Sequence, residues 1–251
     1  GFISIMKLSI ILPVYNEEQN IGNGTIGKVL SFLKNKYDYE LVIVDDGSSD
    51  NTVRLIKEEY GSNNKIRLIE KNHEGKAYSI IRGIKESKGD IIFFTDFDLA
   101  TPIQELDKLV KEVKNGYDIV IGSRSNIRKG APFARKVLSK GLTVIRDIMI
   151  GLNGIKDTQC GFKAFKSKSA QAIIKKFKVF GEGHTIHGPS VSAAFDLEFL
   201  YIAKKSGYKI KEVPVEWRHV ETRNVNFMRD ATESLKDILM IRIYALMGKY
   251  N

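Results

Sequence analysis

The sequence is short of several residue types that mark particular architectures. Its 251 residues include one cysteine, one tryptophan, five prolines and four histidines. The single cysteine, Cys160, excludes an internal disulfide framework and fits a reducing compartment. No apolar run reaches the roughly 18 residues that a transmembrane helix needs, so the sequence predicts no complete membrane span. What is left is a chain of ordinary globular composition.

Positive charge is in excess. Forty Lys and Arg residues against 30 Asp and Glu give a formal net charge of +10. That balance favours an anionic partner, such as nucleic acid, an anionic membrane or a phosphorylated substrate, although a solubilising surface would show the same excess. With 43% apolar residues, the chain can bury a sizeable core and suits one α/β domain with at most a short extension.

The first half alternates apolar runs with amphipathic stretches. The runs are short and nearly continuous, as expected of strands that are covered on both faces. The predicted strands are Leu8–Val14, Glu40–Val44, Ile66–Glu70, Asp90–Thr95 and Asp118–Gly122. With a helical stretch between each pair, this order predicts an α/β fold: a mainly parallel central sheet with helices on both faces.

The second half is less regular. Helical spacing returns over Phe133–Ile150 and Asp196–Ser206, and a strand is predicted over Lys209–Glu216. A long helix is predicted over Arg229–Tyr250. We therefore expect a catalytic domain over residues 6–228 and a C-terminal amphipathic helix over residues 229–251.

Polar residues follow several of the predicted strands. In open parallel sheets, ligands bind beyond the carboxyl ends of the strands, so these residues are expected at one site. They are Tyr15–Glu17, Asp45–Gly47, Asp96–Asp98 and Ser123–Arg124. The clustering at one sheet edge is a stronger sign of a site than any one of these groups.

Asp96 and Asp98 follow a buried strand and can converge on one hard cation. Mg²⁺ typically takes one or two protein carboxylates and fills its other positions with water and phosphate oxygens, and Mn²⁺ accepts similar ligands. Such an ion would neutralise charge on a departing diphosphate. An acidic turn before a helix is the structural alternative. At the end of the second strand we assign Asp46 to ligand binding and Asp45 to the turn.

Three motifs in order resemble the inverting glycosyltransferase family 2, which has a GT-A (Rossmann-like) fold. They are Ile10–Glu18, Val42–Asp50 and Asp96–Ala100. Within that family, Ile121–Arg124 and Asp157–Lys163 resemble the dolichyl-phosphate sugar synthases, and the second is most similar to the dolichyl-phosphate β-glucosyltransferases. The resemblance covers nearly the whole chain.

The resemblance implies roles for particular residues. Pro13, Tyr15 and Glu17 would line the base and ribose pocket together with Asp46. Asp96 would contact the nucleotide-sugar, and Asp98 would hold the metal, Mg²⁺ or Mn²⁺. Lys76, at the start of a predicted helix, would contact the diphosphate. The mannosyl branch has a metal-binding glutamine where this chain has Ala100, so the metal shell differs from that branch.

The resemblance also places an acceptor phosphate near three residues. Arg124 follows a strand, and Arg135 and Ser139 lie four residues apart, on one face of a predicted helix. Arginine offers a planar donor fork suited to phosphate oxygens. A basic solvated face is the structural alternative for all three. A phosphate acceptor is largely dianionic near pH 7 and needs no general base, so Asp196 and Glu198 are not assigned as one.

These observations predict transfer of a sugar, glucose from UDP-glucose being favoured, to a polyprenyl or dolichyl phosphate. The alternatives are GDP-mannose as the donor or a sugar hydroxyl as the acceptor. A nucleic-acid-binding protein is disfavoured, because acidic residues at three strand ends would repel a phosphate backbone. A nucleotidyltransferase is disfavoured because no glycine-rich basic loop follows the first strand.

The last helix indicates a membrane surface as a partner. Leu235, Ile238, Leu239, Ile243, Leu246 and Tyr250 form a stripe at helical spacing, and Lys236, Arg242 and Lys249 add positive charge. Such a helix can lie at a lipid interface, although packing on the domain or dimerisation would use the same pattern. We expect a protein at the cytoplasmic face of a membrane, peripheral or formerly anchored.

Overall fold

Short runs rich in β-branched and aromatic residues form the central sheet. The computed structural model describes residues 6–124, 133–180, 194–218 and 227–251, but not the side chains of residues 133–140, 227–231 and 233. Across those ranges, seven strands form one sheet. They are β1 Leu8–Val14, β2 Tyr39–Asp45, β3 Ile66–Glu70, β4 Ile91–Thr95, β5 Ile119–Ser123, β6 Phe162–Lys166 and β7 Ile210–Pro214.

The strand order is β3-β2-β1-β4-β6-β5-β7. β1 runs parallel to β2 and β4, β2 to β3, and β5 to β7. β6 runs antiparallel between β4 and β5. The predicted mainly parallel α/β fold is therefore confirmed. Because β6 is reversed, its first residues lie at the edge where the parallel strands end.

Helices connect the strands and cover both faces of the sheet. The described ones are α1 Glu18–Gly22, α2 Thr25–Leu33, α3 Thr52–Tyr60, α4 Lys76–Glu86, α5 Leu106–Lys114, α6 Phe133–Ile150, α7 Ser167–Ile174, α8 Ala194–Lys205 and α9 Phe227–Leu246, with a 3-10 turn at Ile103–Glu105. The sequence pattern did not predict α7. The last helix also begins two residues earlier than expected and ends at Leu246 rather than Tyr250.

Alternate residues of the strands feed two cores, one on each face of the sheet. Ile11, Val42 and Phe94 face a core that α4, α7, α8 and α9 cover. The residues that alternate with them, such as Ile10, belong to a second core that α2 and α5 cover. Pro13 is tolerated in β1 because it lies beyond the last β1–β4 pair, Ile11 with Phe94.

The apolar residues of α9 lie on more than one face of the helix. Ile238 and Ile241 are buried in the core, whereas Ile243 and Leu246 are 52% and 70% exposed. α9 packs against both α6 and α8, so its core-facing side is set by two neighbours rather than by one. In the described parts of the chain, no helix is both long and apolar enough to span a bilayer.

Candidate functional site

The ends of the parallel strands place the predicted site residues along one edge of the sheet. Asp46 follows β2, Asp96 and Asp98 follow β4, and Arg124 follows β5. Reversed β6 adds the segment of residues 157–161, which precedes it, to the same edge. The site therefore combines residues from both halves of the chain.

Asp46 is buried, and hydrogen bonds surround its carboxylate. Its Oδ1 accepts from Lys71 Nζ and, at 3.1 Å, from the Glu74 N–H. Its Oδ2 accepts from the Gly75 N–H at 2.9 Å and lies 2.8 Å from His73 Nδ1. Gly75 adopts φ +102, a conformation that favours glycine, and this turn directs its N–H at Asp46. The β3–α4 connection therefore closes over the carboxylate that was assigned to the ligand.

Asp45 has the turn role that the sequence predicts. Its carboxylate accepts the N–H groups of Gly47 at 3.0 Å and Ser48 at 3.1 Å. Such bonds hold the chain in an Asx turn as it leaves β2. The division of labour between the two adjacent aspartates is thus half confirmed, since the ligand role of Asp46 stays a prediction.

Tyr15 and Glu17 lie in the turn after β1. The Tyr15 ring stacks on the His73 imidazole, with centroids 4.3 Å apart and planes 22° from parallel. The Glu17 N–H donates to Thr52 Oγ1 at 2.8 Å, and its carboxylate accepts from Asn20 at 2.6 Å. The structure thus brings Tyr15 to Asp46 through His73, a residue that the sequence pattern did not single out.

Lys76 is the first residue of α4, and its ammonium pairs with the Asp96 carboxylate. Burial alone would lower the pKa of Lys76, but Asp96, Asp196 and Asp98 together hold that pKa above its ordinary value. The backbone at Gly161 passes close to the Asp96 carboxylate, and a Cβ at that position would collide with it. The glycine of the Asp157–Lys163 motif therefore makes room for Asp96.

Asp98 follows Asp96 by two residues. Its Oδ1 accepts the Ala100 N–H at 2.9 Å, while the intervening Leu99 has φ +50. A leucine in this left-handed region costs about 1–2 kcal/mol, a strain that is common at functional turns. Burial and the neighbouring charge of Asp96 raise the pKa of Asp98, because both disfavour a second anion there.

This carboxylate pair fits an ion that takes most of its ligands from substrate and water. Among the described residues, no three His, Cys, Asp or Glu side chains gather around one point. Two carboxylates are what Mg²⁺ usually takes from a protein when a diphosphate supplies further oxygens. Lys76 supplies one positive charge to the two carboxylates, and burial is the main cause of the raised pKa of Asp98.

Arg124 is held by Asp157. Its Nε and Nη2 donate to the two carboxylate oxygens at 2.7 Å and 2.8 Å, and its backbone N–H donates to Oδ2 at 3.0 Å. Burial acts to lower the pKa of Arg124, but this pairing raises it, and the same bonds hold the pKa of Asp157 below its ordinary value. The guanidinium is thus fixed in direction by a partner that the sequence pattern did not identify.

Lys163 and Asp196 form a second pair beneath the site. Lys163 is almost fully buried, and its Nζ lies 2.7 Å from Asp196 Oδ1 and donates to the Cys160 carbonyl. Burial raises the pKa of Asp196 even though Lys163 opposes the effect. Only the appearance of Lys163 in the 157–163 motif could have drawn attention to it.

Glu198 lies two residues further along α8 and serves a different region. It is fully buried and accepts the N–H groups of Lys178 at 2.6 Å and Val179 at 2.9 Å. It also accepts the Tyr250 hydroxyl at 2.7 Å. This carboxylate is an anchor between α7, α8 and the end of the chain, and the described contacts give it no link to the sheet edge.

Two predicted acceptor residues cannot be placed against these groups. Arg135 and Ser139 lie on α6, as expected, but their side chains fall outside the described ones. Their roles stay predictions.

Comparison with known proteins gives a consistent result. The sequence model of the family described as "Glycosyl transferase family 2" matches residues 9–174. The chain is 33% identical to a dolichyl-phosphate beta-glucosyltransferase of Dictyostelium discoideum, over 98% of this chain and 77% of that protein. It is 36% identical to a dolichol-phosphate mannosyltransferase of Pyrococcus furiosus, over 67% of this chain and 48% of that protein.

Among solved structures, the chain is similar to glucosyl-3-phosphoglycerate synthase from Mycobacterium tuberculosis. That crystal structure contains Mn²⁺, UDP-glucose and phosphoglyceric acid. The TM-score is 0.68 at 17% identity, with 94% of this chain and 80% of that chain covered. At this identity the likeness shows a common fold and nothing more.

Proposed function

The chain belongs to glycosyl transferase family 2, and from that premise we propose that it transfers glucose from UDP-glucose to a dolichyl or other polyprenyl phosphate, inverting the anomeric carbon. The chain is a nucleotide-sugar-dependent glycosyltransferase with a GT-A-like fold. The observation that carries the proposal is one sheet edge with two unlike halves. Two carboxylates and a lysine suit a metal-bound diphosphate, and beside them an oriented arginine suits a phosphate.

On the donor side, Asp96 and Asp98 would hold Mg²⁺ or Mn²⁺, and such an ion neutralises charge on the departing diphosphate. Lys76 adds a positive charge at the start of α4, and the N-terminus of a helix also favours phosphate. Tyr15 and Asp46 lie together at the other end of the edge, linked through His73. That separation suits a donor whose base and diphosphate are recognised by different groups.

On the acceptor side, the chemistry asks for position rather than for a base. A phosphate monoester is largely a dianion near pH 7, so it can attack the sugar C1 without losing a proton. Arg124 would hold it through N–H groups that Asp157 does not take. A hydroxyl acceptor would instead need a general base, and the structure pairs the nearby Asp196 with Lys163.

We also propose that the protein works at the cytoplasmic face of a membrane, with α6 and α9 against the lipid. The two helices pack together, and each carries a strongly exposed apolar side chain. Ile148 of α6 is 78% exposed and Leu246 of α9 is 70% exposed. Lys236, Arg242 and Lys249 are exposed on or just after α9. Exposed apolar residues with flanking positive charge match an anionic lipid surface. A polyprenyl phosphate would be met at that surface.

The transfer reaction is tested with Mg²⁺ or Mn²⁺, a short polyprenyl phosphate, and UDP-glucose, UDP-N-acetylglucosamine and GDP-mannose offered separately. We expect metal-dependent, lipid-linked product from UDP-glucose. Product from GDP-mannose alone would replace the donor, an outcome that the similarity to a mannosyltransferase makes worth testing. Slow hydrolysis of a donor without lipid product would move the acceptor to a hydroxyl.

Membrane docking is tested by sedimentation with anionic vesicles. Arg242→Gln removes one charge from α9 and should weaken binding, because each basic residue near an anionic surface contributes about 1 kcal/mol. Lys57→Gln on α3 removes the same charge elsewhere and is the matched control. Equal binding by both variants would contradict the proposed face.

A further inference from the structure

His73 already makes the contacts that a nucleobase would seek at this end of the sheet. Its ring stacks on Tyr15, with centroids 4.3 Å apart, and its Nδ1 lies 2.8 Å from Asp46 Oδ2. A base offers the same two features, a flat face and a ring N–H. The Tyr15 ring and the Asp46 carboxylate therefore form a site of the size of a base, and the His73 imidazole occupies it.

The stacking leaves no room for a second ring between Tyr15 and His73. Stacked rings lie roughly 4–5 Å apart by centroid, and a base between them would need about twice that separation. A base can use this face of Tyr15 only if the imidazole leaves it.

The carboxylate imposes the same choice. An ionised carboxylate has about four lone-pair sites, and those of Asp46 face four donors. Two are backbone N–H groups, of Glu74 and Gly75, fixed by the turn. The others are the side chains of Lys71 and His73. Of these four donors, His73 is the one that also covers Tyr15, so the displacement of a single side chain frees both contacts.

We propose that His73 is an internal stand-in for the donor's base, and that the base displaces its imidazole from Tyr15 and Asp46 on binding. The inference rests on the nucleotide-sugar activity proposed above. The imidazole has somewhere to go, since its side chain is 27% exposed. The connection that carries it also borders an open cleft of about 770 Å³, lined on that side by Lys71, Asn72 and Glu74.

A stand-in of this kind lowers donor affinity, because the site is free for only a fraction of the time. The apparent Kd rises by the inverse of that fraction. His73→Ala should therefore bind UDP more tightly than the wild type, by roughly tenfold if the site is free about a tenth of the time. In a Tyr15→Ala background, the same substitution should have a much smaller effect, because the stacking face is gone.

The direct test follows the His73 ring protons by NMR in the wild-type protein, assigned from their loss in His73→Ala. In the free protein, stacking on Tyr15 should shift them upfield, and UDP with Mg²⁺ should remove that shift. Calorimetry with the same nucleotide gives the Kd values of the wild type, His73→Ala and the Tyr15→Ala pair.

Two results would overturn the proposal. One is nucleotide binding that leaves the His73 signals in place, and the other is equal or weaker UDP binding by His73→Ala. A parallel titration with GDP separates this proposal from the donor assignment. If GDP binds and UDP does not, the assignment of UDP-glucose fails, and the movement of the His73 signals with GDP decides the proposal on its own.

Discussion

Two parts of the sheet edge differ in how their carboxylates are surrounded. They are the recognition end, at Asp46 after β2, and the chemical end, at Asp96 and Asp98 after β4. At one end, the Asp46 carboxylate is buried and meets four donors, two of them backbone N–H groups. At the other end, Asp98 accepts the Ala100 N–H and lies beside Asp96 with a raised pKa. The Asp46 carboxylate is compensated by the donors around it, whereas burial and the neighbouring Asp96 disfavour charge on Asp98.

The difference separates recognition from chemistry. A compensated, buried carboxylate can exchange one N–H donor for another, which suits selection of a base. Two neighbouring carboxylates that share the Lys76 ammonium can still gain from a cation that arrives with an anionic diphosphate. Substitutions at the two ends should therefore affect different kinetic constants.

The largest effect is expected at the chemical end. Asp98→Asn removes a carboxylate while keeping its shape, so turnover should fall by roughly 10²–10³-fold with the fold intact. Asp107→Asn, on α5, removes a carboxylate that pairs with Lys36 and serves as the control. The readouts are kcat and circular dichroism.

Asp46→Asn completes that comparison. It should raise the Kd for UDP by a larger factor than it lowers kcat, and it should also lower the free energy of unfolding. Turnover by Asp98→Asn at the wild-type rate would remove the metal assignment. A fall in kcat alone for Asp46→Asn would erase the distinction between the two ends.

A smaller effect is expected on the acceptor side. Arg124→Ala should lower kcat/KM for the polyprenyl phosphate by roughly 30-fold, the value of one or two charge-assisted hydrogen bonds. The Kd for UDP should change much less. Steady-state kinetics with the acceptor varied, together with calorimetry for UDP, check both expectations, and a selective loss of donor affinity would count against the acceptor role.

Gly161→Ala tests whether the position of Asp96 matters for activity. The added methyl group meets the Asp96 carboxylate, so Asp96 or β6 must shift, and we expect kcat/KM for the donor to fall about tenfold. Gly27→Ala in α2 is the control, because the added Cβ would meet the Tyr60 hydroxyl at 3.8 Å, an ordinary van der Waals distance. Unchanged kinetics in Gly161→Ala would show that Asp96 need not hold its observed position.

The smallest effect concerns stability and pH. Arg124 holds the pKa of Asp157 below its ordinary value, so the pair stabilises the fold above the unfolded pKa, near 4, and loses that effect as pH falls through the folded pKa. Wild-type stability should therefore drop more steeply than that of Asp157→Asn between about pH 5 and pH 2, by roughly 1–2 kcal/mol. Urea unfolding at several pH values measures it.

The control for that series is Glu70→Gln, which breaks an exposed pair with Lys57 and should leave the slope near the wild-type value. An equally steep slope in Asp157→Asn would mean that Asp157 is not the group responsible.

The parts of the fold with a strong local pattern were predictable. Leu8–Val14 is continuous and apolar, and the observed β1 has those bounds. Ser167–Ile174 was missed because eight residues give little more than two turns of helical spacing to read. The reversed direction of β6 has no local signature, since a strand reads alike in either sense.

The site divides in the same way. Asp96, Asp98 and Arg124 could be found because each follows a recognisable strand. The ion pairs that they form could not be predicted, because Lys76 and Asp96 are 20 residues apart in the chain and Asp157 and Arg124 are 33 apart. Nothing in the spacing of those pairs predicts contact, which depends on how the strands are ordered in the sheet.

Reversed β6 has a consequence for the order in which the protein is made. The block β3-β2-β1-β4 is made from the first 95 residues, and among the described strands β6 is the one that links β5 to this block. During synthesis, β5 is therefore made before β6, and it cannot join the sheet until residues 162–166 have been made. The edge that holds Asp96 beside Arg124 is therefore completed late, when β6 pairs with both β4 and β5.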